Sequence, residues 1–169
     1  MKKWQFLLLD AGPIIKLFEL NLWGEFVSRC DATICRTVMD EAKWASQELQ
    51  DISIDLGNDI SEGRVRVEEV ELAAVKQFHD SLGPLYGPTV HDGEQETLAF
   101  LCNSPEKWVV CTADGAVFRT LGWLGRAEQG VSLEEVLRQI GLGRPVEWKC
   151  TERFRKKYTG LGQTDAIQQ

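Results

Sequence analysis

Two stretches of the chain share one pattern. A mainly apolar run closes on an aspartate, and apolar residues then recur at helical spacing. In the first, Trp4 to Leu9 lead into Asp10-Ala11-Gly12-Pro13, and Ile14, Ile15, Leu17 and Phe18 follow on one helical face. A short run without polar interruption is what a strand covered on both faces of a sheet requires. Pro13 is compatible with a first helical turn, where no intrahelical N–H partner is needed. In the second, KWVVCTAD closes on Asp114, and Val117, Leu121 and Leu124 resume the helical period.

Between these stretches the pattern predicts a helix over Leu22 to Cys30, a short strand around Ala32 to Arg36, and a helix from about Val38 to Leu49 with Glu41 in its opening turn. The alternation in RVRVEEV predicts a strand from Arg64 to Val70 with one solvent face. Leu72, Val75, Phe78 and Leu82 then mark a helix over Glu71 to Leu82, GPLYGP reads as a loop, and a helix begins near Gly93. In SLEEVLRQIG, Ser132 and Glu135 have the spacing of a capping box. Strands alternating with helices predict a parallel sheet covered on both faces, an α/β fold. In such a sheet, residues just past the carboxyl ends of strands gather on one edge, where open α/β sheets place ligands.

One domain accounts for the length of 169 residues, assigned to residues 1–148. Residues 149–169 are basic at first and then poor in apolar residues, and they are predicted to form a partly disordered polar tail. The N-terminal apolar run, interrupted by Asp10, reads as a strand and not as a signal peptide. No run is long enough to predict a membrane span, so the expected address is cytoplasmic. The odd set of five cysteines, with no CxxC pair, predicts reduced thiols. With only two histidines, imidazole-rich metal sites and a Ser-His-Asp triad have little to work with. Carboxylates are the groups left for chemistry.

Asp10, Glu41, Glu94 and Asp114 fall near strand ends or helix starts. Taken singly, the aspartates read equally well as helix N-caps and the glutamates as acids favoured by a helix dipole. Taken together on one sheet edge, they form the kind of oxygen cluster that hard divalent cations use in phosphoryl chemistry. Glu94 shares a helical face with Leu98 and Leu101, which places it at the rim of the core. Glu96 is predicted to point towards solvent. The net charge of −7 counts against a nucleic-acid enzyme, although bound cations reverse the local sign.

The segments LLLDAGPIIKLF, CRTVMDEA, DGEQETLAFL and VVCTADGAVFRTLGWLG, in that order from about Phe6 to Gly125, resemble the four successive motifs of PIN domains. The third is of the GE type found in one branch of that family. The resemblance implies a three-layer α/β/α sandwich with a mainly parallel central sheet. It implies an endoribonuclease using Mg2+ or Mn2+ held by Asp10, Glu41, Glu94 and Asp114 as catalytic and metal-binding residues. Thr112 matches the threonine of the family's T-x-D segment. Asp92 and Glu96 are rivals of Glu94 for the third place or for a second metal. The implied partners are an RNA substrate, a second copy of the chain in a homodimer and, where the chain is the toxin of a toxin–antitoxin pair, an antitoxin protein.

Arg119, Arg153, Arg155, Lys156 and Lys157 are candidate phosphate contacts, with Phe154 and Tyr158 interleaved as stacking groups. A solvated basic tail is the competing reading. Trp23, Trp44 and Trp123 are candidates for an exposed patch. Two rivals remain to the nuclease. A haloacid-dehalogenase-type phosphatase would need a second aspartate where Gly12 stands, and a non-catalytic PIN-like module would bind RNA or protein through the same fold.

Overall fold

A computed structural model describes residues 4–47 and 49–169; the N-terminal lysines and Glu48, inside the third expected helix, lie outside the described residues. Five parallel strands form the central sheet: β1 (Trp4–Leu9), β2 (Cys30–Cys35), β5 (Val65–Glu68), β6 (Val109–Cys111) and β7 (Gly130–Val131), in the order β5-β2-β1-β6-β7. A separate antiparallel hairpin joins β3 (Trp44–Gln47) to β4 (Gln50–Ser53).

Period-two alternation along β1 splits the core into two layers. Leu7 and Leu9 pack with α1 (Ala11–Glu19), α2 (Trp23–Arg29) and α9 (Leu133–Gln139) through Ile14, Leu17, Phe26, Val136 and Leu137. Leu8 faces the other way, onto α5 (Leu72–Ser81), α7 (Asp92–Asn103) and α8 (Gly115–Trp123) through Phe78, Leu98, Leu101, Val117 and Leu121. The result is a three-layer α/β/α sandwich. Full burial of Leu7, Leu8 and Leu9 explains why β1 is apolar on successive positions. Among the described residues no helix is long and apolar enough to cross a membrane.

Three predicted elements are corrected. The helix expected over Val38 to Leu49 is only α3 (Arg36–Glu41), so Glu41 is its last residue and not in its opening turn. Beyond it, Ala45, Ile52 and Ile54 alternate with polar neighbours, the period of the hairpin that forms there, and buried Ala45 lies under α1. A short helix, α4 (Gly57–Ser61), follows the hairpin. GPLYGP is not a loop but a single helical turn, α6 (Gly83–Tyr86), and a 3-10 turn (Gly87–Thr89), with Pro84 and Pro88 early in each and Tyr86 buried.

The third correction concerns the tail. Residues 152–167 form α10 (Glu152–Ile167), packed on α8. Few large apolar residues are needed because two glycines let the backbones meet. A Cβ on Gly162 would stand 1.8 Å from the Arg119 carbonyl oxygen, and one on Gly122 would stand 2.2 Å from that of Thr159. Phe154 and Thr159 are buried in the same contact. Arg155 donates to both oxygens of Glu135 at 2.8 Å, and Thr151 caps the helix by accepting from Phe154 N at 3.2 Å. Small-residue packing and ion pairs therefore order a segment whose composition alone reads as a tail.

Gly162→Ala forces a methyl group into a backbone carbonyl, which neither helix can yield without separating. We expect a loss of at least about 2 kcal/mol and a melting temperature lower by about 4–8 °C in a chain of this size. Thermal unfolding followed by circular dichroism checks it, and an unchanged midpoint would show that α10 is not docked as described.

Candidate active site

The chain leaves β1 towards β2 on one side and returns at β6 on the other, so the strand order reverses between β1 and β6. That switch point, at the carboxyl ends of parallel strands, is where helices on opposite faces part and leave a crevice. The last residues of the two strands, Leu9 and Cys111, are register partners, and Asp10 N donates to Cys111 O at 3.0 Å. Asp10 and Thr112 therefore emerge side by side.

Each aspartate is an N-cap and also faces the crevice. Asp10 Oδ1 accepts from Ala11 N at 2.9 Å, opening α1, and Asp114 Oδ1 accepts from Ala116 N at 2.7 Å, opening α8. Thr112 links them: its hydroxyl donates to Asp10 Oδ2 at 2.7 Å and accepts from Asp114 N at 3.0 Å. The capping reading and the convergence reading are thus both correct.

Glu41 and Glu94 come from the neighbouring elements. Glu94 occupies the third position of α7, where His91 N donates to its Oε2 at 2.9 Å in a capping box, and its carboxyl hydrogen-bonds that of Asp114. Glu41, at the end of α3, lies over Gly93: a Cβ there would stand 2.6 Å from Glu41 Oε1. All four acids line one cleft of about 370 Å³. Among the described residues none of them is ion-paired with a lysine or arginine. Also among the described residues, no group of three or more His, Cys, Asp or Glu side chains stands ready to hold a metal ion. Thr112 and Ala11 hold the Asp10 oxygens, and the Glu94 carboxyl meets that of Asp114.

The electrostatics follow from this crowding. Burial raises the Asp10 pKa above the ordinary aspartate value, with the charge of Asp114 adding to it and the Thr112 and Ala11 hydrogen bonds opposing. Burial, then the Asp10 charge, raises Glu41. Glu94 is pushed up to about 8, first by burial, then by its hydrogen bond with Asp114 and the negative charges of Asp114 and Asp10. One proton is shared where two carboxylates meet.

The rivals of Glu94 stand elsewhere. Asp92 and Glu96 line a second groove with Thr37 and His79, on the other side of α7. Glu96 is buried and accepts from Thr37 N at 3.0 Å, tying α7 to α3. Its predicted solvent exposure is therefore corrected: beyond the first turn, α7 is covered by α3 and β2.

The basic candidates are mostly spent on structure. Arg119 Nε donates to Asp165 at 2.7 Å, Arg155 is held by Glu135, and Lys156 pairs with Glu152 at 2.7 Å. Lys157 lies 5.5 Å from the Tyr158 ring centre, and Arg153 is exposed. Phe154 is buried and offers no stacking face. Of the three tryptophans, Trp44 is exposed, Trp23 is buried with its indole N–H on Asp59 at 2.8 Å, and Trp123 stacks on Tyr86.

Lys16, Glu19, Glu147 and Lys149 also line the cleft and escaped sequence reasoning. Gly12, Ile15, Lys16 and Glu19 follow the i, i+3, i+4, i+7 stripe of α1, so that half was discoverable from the period. Glu147 and Lys149 arrive from the segment before α10, and no local pattern announces them. Glu147 accepts from Lys16 at 3.2 Å across the cleft mouth.

A pH dependence follows for metal-free protein. The folded Glu94 value, about 8, lies above the ordinary 4.5, so the folded state holds more protons between these limits. Stability from this group is full below about pH 4.5 and is lost as the pH rises through about 8. In chelator, Glu94→Gln should gain melting temperature over wild type progressively from pH 5 to 8.5. A constant difference between the two proteins across that range would contradict the shared proton.

No protein-family model, curated protein or solved structure matches this chain, so the meaning of the cleft has to be read from its own residues.

Proposed function

We propose that the chain is a metal-dependent endoribonuclease of the PIN-domain kind, with Asp10, Glu41, Glu94 and Asp114 as its catalytic carboxylates. One observation carries the reading: four acids spread from position 10 to position 114 line a single cleft at the sheet's switch point, with no lysine or arginine neutralising them among the described residues. The donor set is all oxygen and anionic, which fits magnesium or manganese and not a thiolate- or imidazole-seeking metal. When bound, such a cation supplies the Lewis acidity that activates water and shields charge on the phosphate oxygens.

The residues of the chain have separable tasks in this reading. Thr112 holds Asp10 in one orientation and fixes the backbone of Asp114, as outer hydrogen bonds do for ligating carboxylates. Glu94 and Asp114, whose carboxyls meet in the cleft, would together supply anionic oxygens to a cation held there. Gly93 leaves room for the Glu41 carboxylate, and Lys149 in the cleft lining attracts the phosphate backbone, whereas Lys16 is paired with Glu19 and Glu147. RNA as substrate, a homodimer and the role of toxin beside an antitoxin rest on the motif resemblance.

A second reading, a non-catalytic module of the same fold, draws on the net charge and on the ion pairs that consume Arg119, Arg155 and Lys156.

Magnesium or manganese should raise the melting temperature of wild type, and Asp10→Asn or Asp114→Asn should abolish the gain. The same variants should lose cleavage of single-stranded RNA while keeping their circular dichroism spectra. Wild type with neither a metal response nor cleavage of a total-RNA pool overturns the nuclease; a metal response alone favours the module.

Thr112→Val leaves all four acids in place but frees Asp10. We expect activity lower by about 10–100-fold, with a higher metal concentration needed for half-maximal cleavage; full activity in this variant would remove Thr112 from the positioning role.

A further inference from the structure

Beside the acidic cleft lies a second cavity, of about 250 Å³, walled by Leu85, Tyr86, Gly115, Ala116, Arg119 and Tyr158. The chain passes from one to the other between Asp114, which lines the cleft, and Gly115, which lines the cavity. Whatever occupies the cavity is therefore one residue away from the carboxylates. It is small for a ligand site, where about 300–1,000 Å³ is usual, so it suits a single flat group and not a peptide or a whole nucleotide.

Its walls are built. The Tyr158 ring lies against Gly115 so closely that a Cβ there would stand 2.8 Å from two ring carbons. The opposite side carries Leu85, an exposed apolar residue, and Tyr86, which is stacked on Trp123 with ring centres 4.7 Å apart. Arg119 is fixed and not free to swing: Asp165 accepts from its Nε at 2.7 Å and from the Tyr86 hydroxyl. The guanidinium also hydrogen-bonds the Tyr86 hydroxyl, and its remaining N–H groups are the donors left for a ligand. An apolar slot with an aromatic wall and an oriented arginine is the chemistry that holds an unstacked nucleobase.

We infer that this cavity receives one base of a single-stranded RNA, the base adjoining the phosphate that sits at the carboxylates. The inference rests on the nuclease reading for the position of the phosphate, whereas the cavity itself can be probed without cleavage. Ala116 offers a means of closing it: a leucine there fills the slot and leaves in place the backbone N–H that donates to Asp114 Oδ1. Tyr158→Leu removes the aromatic wall while keeping apolar bulk.

The probe is a short single-stranded RNA carrying one 2-aminopurine, whose fluorescence is quenched on stacking, titrated into full-length protein in chelator. Wild type should quench it, and Ala116→Leu and Tyr158→Leu should each weaken binding by about 10–100-fold, with melting curves confirming folded protein. Replacing the 2-aminopurine nucleotide with an abasic one and competing against labelled RNA should reproduce the loss in wild type and add nothing in Ala116→Leu. In magnesium, kcat/KM for cleavage should fall in parallel, while the metal-induced rise in melting temperature stays. Equal RNA binding by wild type and both variants overturns the base cavity even if cleavage is robust. Quenching lost in both variants, in a protein that cleaves nothing, upholds the cavity and sinks the nuclease.

Discussion

Like charges held together without an ion-pair partner among the described residues govern this structure. Asp10, Glu41, Glu94 and Asp114 repel one another in a half-buried cleft, and the fold relieves the strain with hydrogen bonds and protons instead of lysines. Asp10 is held by a hydroxyl and a backbone N–H, Asp114 caps a helix, and Glu94 retains a proton up to about pH 8. Repulsion relieved in this way stays reversible. An arginine in the cleft would pair with the acids permanently, whereas a protonated carboxyl regains its charge as the pH rises. The raised values of Asp10, Glu41 and Glu94 share two causes, burial and the negative charge of neighbouring carboxylates.

The sheet determines which residues meet. Asp10 and Thr112 are placed by the register of β1 and β6, and their distance in sequence is irrelevant once Leu9 and Cys111 pair. The helices on the two faces then supply Glu94 and Glu41, each positioned by a small residue or a cap and not by bulk. Gly93 is the clearest case: its missing side chain is the space that the Glu41 carboxylate fills.

How far the sequence disclosed this depended on range. Leu7 to Leu9, Asp10 and the helix after them were legible because burial on both faces demands successive apolar residues, and the Ser132/Glu135 capping box because its spacing is local. The β3–β4 hairpin was missed because Glu41 opens a stretch of helix-forming residues, and tertiary contact of Ala45 with α1 decides otherwise. Glu96 was misplaced because a single helix shows its own apolar face but not its neighbours. Residues 152–167 were misread because close packing through Gly122 and Gly162 leaves no hydrophobic signature. The carboxylate quartet could be named from motifs, while its shared proton and the Thr112 link need coordinates.

The ordering of α10 changes what the basic residues mean. As a loose tail, Arg153, Arg155, Lys156 and Lys157 would have been an electrostatic arm for phosphate. Docked, Arg155 binds Glu135 and Lys156 binds Glu152, and Arg119 on α8 is tied to Asp165 of α10. Their charge is largely consumed in holding the helix, which fits a chain of net charge −7 that gathers no broad basic surface. A polyanion approaching such a protein gains little from long-range attraction, because counterion release scales with the number of phosphates neutralised. Under the proposed function its grip would come from short-range contacts: a cation among the carboxylates, Lys149 in the cleft lining, and the wall that α10 contributes to the neighbouring cavity through Tyr158. The helix that takes these cations out of play is also the one whose Tyr158 walls the cavity next to Asp114.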